Sequence, residues 1–382
     1  KPYENKNRKQ INKVSIKFDF IDIFAFWGED RGIYQEEVLL LGQRAVLIIA
    51  ENEKYEIYYD HWCANTLDSY LFWGPEEAVS FIRKHDPEKG YWLNDVWCEG
   101  AVLVDLDKKK LLFFGGEDII YEIPLRRVYL ELLAEMWKGY EIKWAYHGIT
   151  DLARYAGYDW KSLMDKSKRE ECEIINSFDS DSGGFYITGV FSITDKNNIR
   201  KVFPLYSYDN RLIFCDNEKI IEYVNKLGDR SKVFEEERHK DYTFPSYGMH
   251  IDMTSKTSFF WESDTTNADY YDNLENLWDG WEIQYFYDDY QKHAELIENE
   301  HIFPEIDHRK CIDRIRNIVC GENNNPADTV KDIVDALKNL GKEKIEINPA
   351  VYAADSFDMP KDSRVDIFEK ISAEYLKKIR KK

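Results

Sequence analysis

The densest grouping of reactive side chains is Tyr59-Asp60-His61-Trp62-Cys63-Ala64-Asn65, which sets a thiol two residues from an imidazole and beside a carboxylate. A cysteine nucleophile needs a base to form its thiolate. These residue types therefore suit a cysteine-dependent hydrolase or transferase, with Cys63 attacking, His61 as base and Asp60 beside them. The spacing says less, because catalytic Cys–His pairs are normally assembled from distant segments. The plainer alternative makes His61 and Trp62 the cap of a strand end and Cys63 a small buried residue.

A second candidate is the loop Trp92-Leu-Asn94-Asp95-Val-Trp97-Cys98-Glu99-Gly100. Asp95 and Glu99 could act as an acid and base pair, or join Asp105 and Asp107 around a cation. The alternating Asp/Asn ladder with a mid-loop glycine is missing, so solvated turn carboxylates are expected instead. A metal set of His61, Cys63 and Cys98 is weaker still. Gly115-Gly116-Glu117-Asp118 lacks GxGxxG and the GK[ST] ending, and reads as a hairpin exit. No metal and no cofactor are expected.

The stretch that departs most from background runs from Trp261 to Asp289. From Glu262 onward it holds nine acids and no Lys or Arg, interleaved with aromatic residues. Aromatic anchors ringed by carboxylates suit a basic protein surface. The expected binding residues are Asp269, Tyr270, Tyr271, Asp272, Glu275, Trp278, Asp279, Trp281, Glu282, Tyr285, Asp288 and Asp289. The plainer alternative is a core helix and strand with a solvated acidic face.

The elements that must position these residues are repeated. Trp137-Lys-Gly139-Tyr140-Glu141-Ile142-Lys-Trp144-Ala-Tyr146 matches Trp278-Asp-Gly280-Trp281-Glu282-Ile283-Gln-Tyr285-Phe-Tyr287 at an offset of 141, with five identities. Two weaker blocks upstream match in the same order: Asp105–Phe114 with Asp252–Trp261, and Gly74–Ile82 with Asp216–Val224. Three ordered blocks at nearly constant spacing indicate duplication. The part of the first copy that matches the acidic stretch carries Arg126, Arg127, Lys138 and Lys143 as well as acids, so the two copies differ in surface charge.

Each copy reads as two strands (Ala45–Ala50 and Tyr55–Tyr59; Phe185–Ile193 and Ile199–Leu205), a short helix, a hairpin, a second helix, and a strand after the Trp-x-Gly block. This pattern predicts an α+β fold: two tandem diverged copies of a mixed or antiparallel sheet with helices, followed by an all-helical segment. The expected divisions are a basic segment and strand over 1–29, copy one over 30–158, a linker over 159–182, copy two over 183–300 and the helical region over 301–382. In that last region, helices are expected over Cys311–Val319, from Pro326 to Gly341, and from about Ser363 onward.

The formal net charge is −20, and setting aside +5 on residues 1–17 and +5 on residues 370–382 leaves −30 on residues 18–369. Such a field repels nucleic acid and membrane phosphates and speeds encounter with a basic partner. High acidity also simply favours solubility. Six scattered cysteines without a CxxC pair suggest a reducing, cytoplasmic setting. No apolar run approaches the roughly 20 residues of a membrane span, and the basic N-terminus lacks the apolar region of a signal peptide. The functional expectation is a non-enzymatic acidic protein that binds a basic protein partner through copy two. By analogy of composition alone it would be a neutraliser or adaptor of the bacterial immunity or defence type. The alternative is the enzyme centred on Cys63 and His61, and a third reading is a scaffold anchored to nucleic acid by its basic ends.

Overall fold

The computed structural model describes residues 43–165, 187–206, 218–237, 244–264, 278–299, 301–321 and 359–380, two short strands nearer the N-terminus, and positions 178, 331, 334, 335 and 338. Strands β1 (Val14–Phe18) and β2 (Ile21–Ala25) pair antiparallel.

The first sheet consists of β3 (Ala45–Glu51), β4 (Lys54–Asp60), β5 (Gly100–Asp105), β6 (Lys110–Phe114) and β7 (Glu141–Trp144), in the order β4-β3-β5-β6-β7. The sequences AVLIIAE and GAVLVD are almost uninterrupted apolar runs, as interior strands covered on both faces require, and β5 is buried throughout. Asn52 and Glu53, with φ of 52° and 60°, form the two-residue turn that joins β3 to β4. Helices α1 (Leu67–Leu71) and α2 (Pro75–Arg83) connect β4 to β5. Helices α3 (Glu117–Tyr121) and α4 (Ile123–Met136) connect β6 to β7, and α5 (Ile149–Tyr155) follows. Pro75 and Pro124 sit in the first turns of α2 and α4, where a missing N–H costs nothing. Helices α3 and α5 lie where no helix was expected, since each is short and lacks a long apolar period.

The second sheet is built from β8 (Gly189–Thr194), β9 (Arg200–Leu205), β10 (Tyr247–Asp252), β11 (Thr257–Glu262) and β12 (Glu282–Tyr285), in the order β12-β11-β10-β8-β9. Pairing follows the first sheet strand for strand. The outer hairpin is antiparallel, the next pair parallel, the next antiparallel and the last parallel. Helices α6 (Glu218–Asn225) and α7 (Ser231–Glu237) lie between β9 and β10, and α8 (Gln291–Ile297) follows β12. The fold is thus α+β with two like sheet units. Alternate residues serve opposite faces: Phe191, Phe203, Met249, Ile251 and Phe260 join one core, while Val190, Val202 and Trp261 join another.

The matching blocks have a physical cause. Trp137 and Trp278 are 0% and 1% exposed. Gly139 and Gly280, at φ of 87° and 75°, take the left-handed turn behind them. Tyr140 and Trp281 then pack edge-on against those indoles at 5.2 and 5.4 Å. Glu141 N–H donates to the Lys109 carbonyl and Glu282 N–H to the Lys256 carbonyl, which starts the last strand in register.

The copies meet at corresponding ends. Tyr146 and Tyr287, equivalent at the offset of 141, touch at 4.8 Å between ring centroids. His147 lies against Tyr287, and its equivalent Asp288 accepts a hydrogen bond from Tyr146. Reciprocal contacts of this kind are those of a two-fold interface within one chain. Ile123 of α4 is buried in a core of the second sheet. Helices α9 (His308–Cys320) and α10 (Lys361–Ile379) turn back to copy one, where Ile312, Ile315, Val319 and Phe368 complete its core. Of the helix expected from Pro326 to Gly341 only positions 331, 334, 335 and 338 are described, all of them helical, and most of the 159–182 linker lies outside the described residues. Among those described, no helix is long and apolar enough to cross a membrane.

Candidate functional site

Asp60 ends β4 with its carboxylate turned back on the chain. It accepts the N–H groups of Trp62 and Cys63 at 2.6 and 2.8 Å, and His85 Nε2 at 2.7 Å. Burial alone would raise Asp60, but these donors outweigh it and hold the carboxyl below its ordinary value. His85 Nδ1 faces the carbonyls of Phe81 and Ile82, so both ring nitrogens meet acceptors and the imidazolium satisfies every contact. His61 Nδ1 instead lies 2.6 Å from the Tyr59 hydroxyl. Cys63, 2% exposed, opens a 3-10 turn over Ala64–Thr66. The partner of Asp60 is therefore a histidine 25 residues away, and the Cys63 thiol is buried.

The carboxylates of the second candidate do not converge. Asp95 accepts Asp165 N–H, and Glu99 accepts Arg44 N–H. At the other end of β5, Asp105 accepts from Tyr155 and Lys108, and Asp107 accepts Glu53 N–H. Cys98 donates to the Gly100 carbonyl, and burial pushes its thiol up. Among the described residues no group of three or more His, Cys, Asp or Glu could hold a metal ion.

Of the twelve residues expected to bind a partner, Asp269, Tyr270, Tyr271, Asp272 and Glu275 lie outside the described residues. Trp278 fills the core and Trp281 packs on it, for the reasons given above. Tyr285 donates to the buried Glu262. Asp288 is enclosed at the junction. Arg126, 0% exposed, donates Nη2–H to it at 3.0 Å and Nη1–H to the Ile119, Ile120 and Ser263 carbonyls. Arg127 reaches the Asp288 carbonyl, and Tyr146 its second oxygen. Asp279, Glu282 and Asp289 remain exposed. The first two lie at the start of β12 and the third beyond its end, so they do not form one face.

An acidic surface does gather at the junction end of copy one. Asp68 in α1 is 2% exposed, and burial, helped by Asp118 and Glu117, pushes its carboxyl up to about 8. Burial raises Glu117 too, with Asp118 and Glu99 adding to it, and raises Glu99 against the pull of Arg44. Tyr121 is 53% exposed, and its hydroxyl is raised by burial of that end and by Asp264, Glu117 and Glu99. Asp264 belongs to copy two, whose Ser246 also donates to the Tyr121 carbonyl. Trp97, 49% exposed, lies under the Arg44 guanidinium.

Copy two hides a hydrogen-bond chain that sequence reading missed. Trp261 Nε1 can only donate, so at 3.1 Å it makes His293 Nδ1 an acceptor. His293 Nε2–H then donates to Ser192 Oγ, and Ser192 donates to His250 Nδ1, both at 2.7 Å. Burial drives His250 down to about 4 and His293 well below its ordinary value, so both imidazoles are neutral. Ser192 and His293 are 0% exposed, which makes this a core network rather than a triad open to substrate. Its members lie 58 and 101 residues apart, and no local spacing announced it. Asp68 and His85 were missed for the same reason, although Gly115-Gly116 offered a signal: both have positive φ, and a Cβ on Gly116 would lie 2.6 Å from Asp68 Oδ2. No protein-family model matches the chain, and neither the curated proteins nor the solved structures compared with it give a match.

Proposed function

We propose that this chain is a non-enzymatic protein that binds a basic protein partner through the acid-and-aromatic surface where its two copies meet. The observation that carries the reading is the exposure of Tyr121, at 53%, beside carboxylates drawn from both copies: Glu99, Glu117 and Asp264. A large ring buries apolar area on binding, and carboxylates that raise one another gain when a cation arrives. The charge of −20 supports the reading through steering, and it works against nucleic acid as the partner. A neutraliser or adaptor of the immunity or defence type is the role this chemistry suits. The four described cysteines are free and buried, in keeping with a reducing cytoplasmic setting. The 2% exposure of Cys63 weighs against the cysteine enzyme.

The test is capture of basic proteins from the native cell by the immobilised full chain, at low salt and at about 0.5 M salt, where exposed charges are screened. The reading expects capture that fades with salt and drops in the Glu117→Gln, Asp264→Asn double variant. Capture that is equal in both salts and in both proteins would contradict it.

A further inference from the structure

We infer that copy two holds a separate site, a cavity between β9, the start of α7 and the end of α8 that binds a small zwitterion, an α-amino acid with an aliphatic side chain. The inference goes beyond the proposed protein-binding function and does not depend on it.

The cavity has a volume of about 520 Å³, within the roughly 300–1,000 Å³ that small-molecule sites occupy. Arg200 of β9 and Glu298 after α8 both line it. These opposite charges do not pair with each other, and neither has an ion pair among the described residues. Arg200 Nη1–H donates to the Leu296 carbonyl, and the rest of the guanidinium has no acceptor among the described residues. Asp229, the other carboxylate of the lining, does not compete for Arg200. It accepts Val202 N–H at 2.8 Å and both the N–H and the hydroxyl of Ser231.

Both charges are additions relative to copy one. Asp105 and Asp252 correspond in the repeat; Asp105 pairs with Ala50 and Asp252 with Thr194, and these in turn face Tyr55 and Arg200. Arg200 therefore stands where copy one has Tyr55. The two make the same tie, because Tyr55 donates to the Tyr155 carbonyl, and Tyr155 corresponds to Leu296 at the offset of 141. At that offset Glu298 takes the place of Gly157, and both hold left-handed backbone, at φ of 52° and 71°. A glycine rests there without strain, and a glutamate does not. A tie that a phenol makes in copy one needs no guanidinium, and a helix end that a glycine closes needs no carboxylate. Copy two thus brings to one cavity a cation and an anion that its fold does not require.

Two opposite charges on one cavity suit a ligand that carries both. Arg200 offers a fork of N–H donors to a carboxylate, and Glu298 accepts an ammonium. Asn299, whose Oδ1 already accepts His301 N–H at 2.9 Å, has amide N–H groups to give to the same carboxylate. Val202 and Ile297 supply an apolar wall for an aliphatic side chain. A ligand with a single charge would meet its own sign at Glu298 or at Arg200, which disfavours it.

The experiment is calorimetric titration of the full chain with L-leucine and L-valine, and with isocaproate and isoamylamine, which keep leucine's side chain but only one of its charges. Saturable binding of an amino acid is expected, with each single-charge analogue at least about tenfold weaker. Arg200→Tyr and Glu298→Gly carry the residues that copy one tolerates at the same positions, so both variants should fold, and each should weaken binding about tenfold. Absence of saturable heat with either amino acid would overturn the site. Isocaproate binding as tightly as L-leucine, with no effect of Glu298→Gly, would overturn the zwitterion. Either failure leaves the acidic surface at the junction standing, since Arg200 and Glu298 are no part of it.

Discussion

The turn at Trp137 and the turn at Trp278 are one piece of structure in two settings. Each buries an indole, passes through a left-handed glycine and starts an edge strand from a glutamate. Just beyond, the copies part company. Copy one has His147 where copy two has Asp288, and the Arg126 and Arg127 of copy one meet that aspartate. What the copies share holds the fold, and the junction between them combines a shared pair, Tyr146 and Tyr287, with residues they do not share. Part of the charge contrast between the copies is thus used up inside the molecule, and only the remainder faces outward.

Four tests would break or sharpen this comparison. Arg126→Ala should have the largest effect. It leaves the buried Asp288 with less compensation and empties the space over Trp144, for about 3–5 kcal/mol, and denaturant unfolding should then separate the two copies into distinct transitions. Trp137→Ala and Trp278→Ala should each cost about 3–5 kcal/mol by cavity formation. Equilibrium unfolding should give similar values if the motif is structural in both copies, and a mild effect at Trp278 alone would break the equivalence. Acid should separate the copies by a smaller amount. His250 is neutral in the fold down to about pH 4 and in the unfolded chain only above its ordinary value near 6.5. The unfolded chain therefore binds the extra proton as pH falls through that window, and stability drops by up to about 3 kcal/mol. Thermal melts in His250→Gln should show a weaker dependence, the remainder belonging to His293. Gly139→Ala and Gly280→Ala should cost least, about 1 kcal/mol each, because a Cβ meets nothing within 4 Å at either site and only the backbone resists.

Most strands and the repeat were legible because they rest on local patterns, apolar runs and a rare Trp-x-Gly block. The first strand of copy two, expected from Phe185, begins at Gly189 among the described residues, with Ile187 and Thr188 outside it and 185–186 not described, since an apolar run does not mark where pairing begins. The site was far less legible. His61 stands nearest to Cys63 in sequence, yet Asp60 turns to His85, because α2 brings the end of the helix back to the end of β4. Trp278 looked like an anchor because aromatic residues suit both cores and interfaces, and sequence alone does not say which side of the turn is covered. The return of α9 and α10 to copy one depends on contacts across more than 150 residues, as between Arg314 and Glu122, and no periodicity predicts them.

The central claim is that a basic protein docks where the two copies meet. Hydrogen exchange of the full chain with and without a saturating basic protein, such as hen lysozyme, tests it most directly. The account predicts slowed exchange across 95–122, in 262–264 and near 287–289, lost again when salt is raised. Protection confined to the outer hairpin of β8 and β9, or none at any salt, would contradict it.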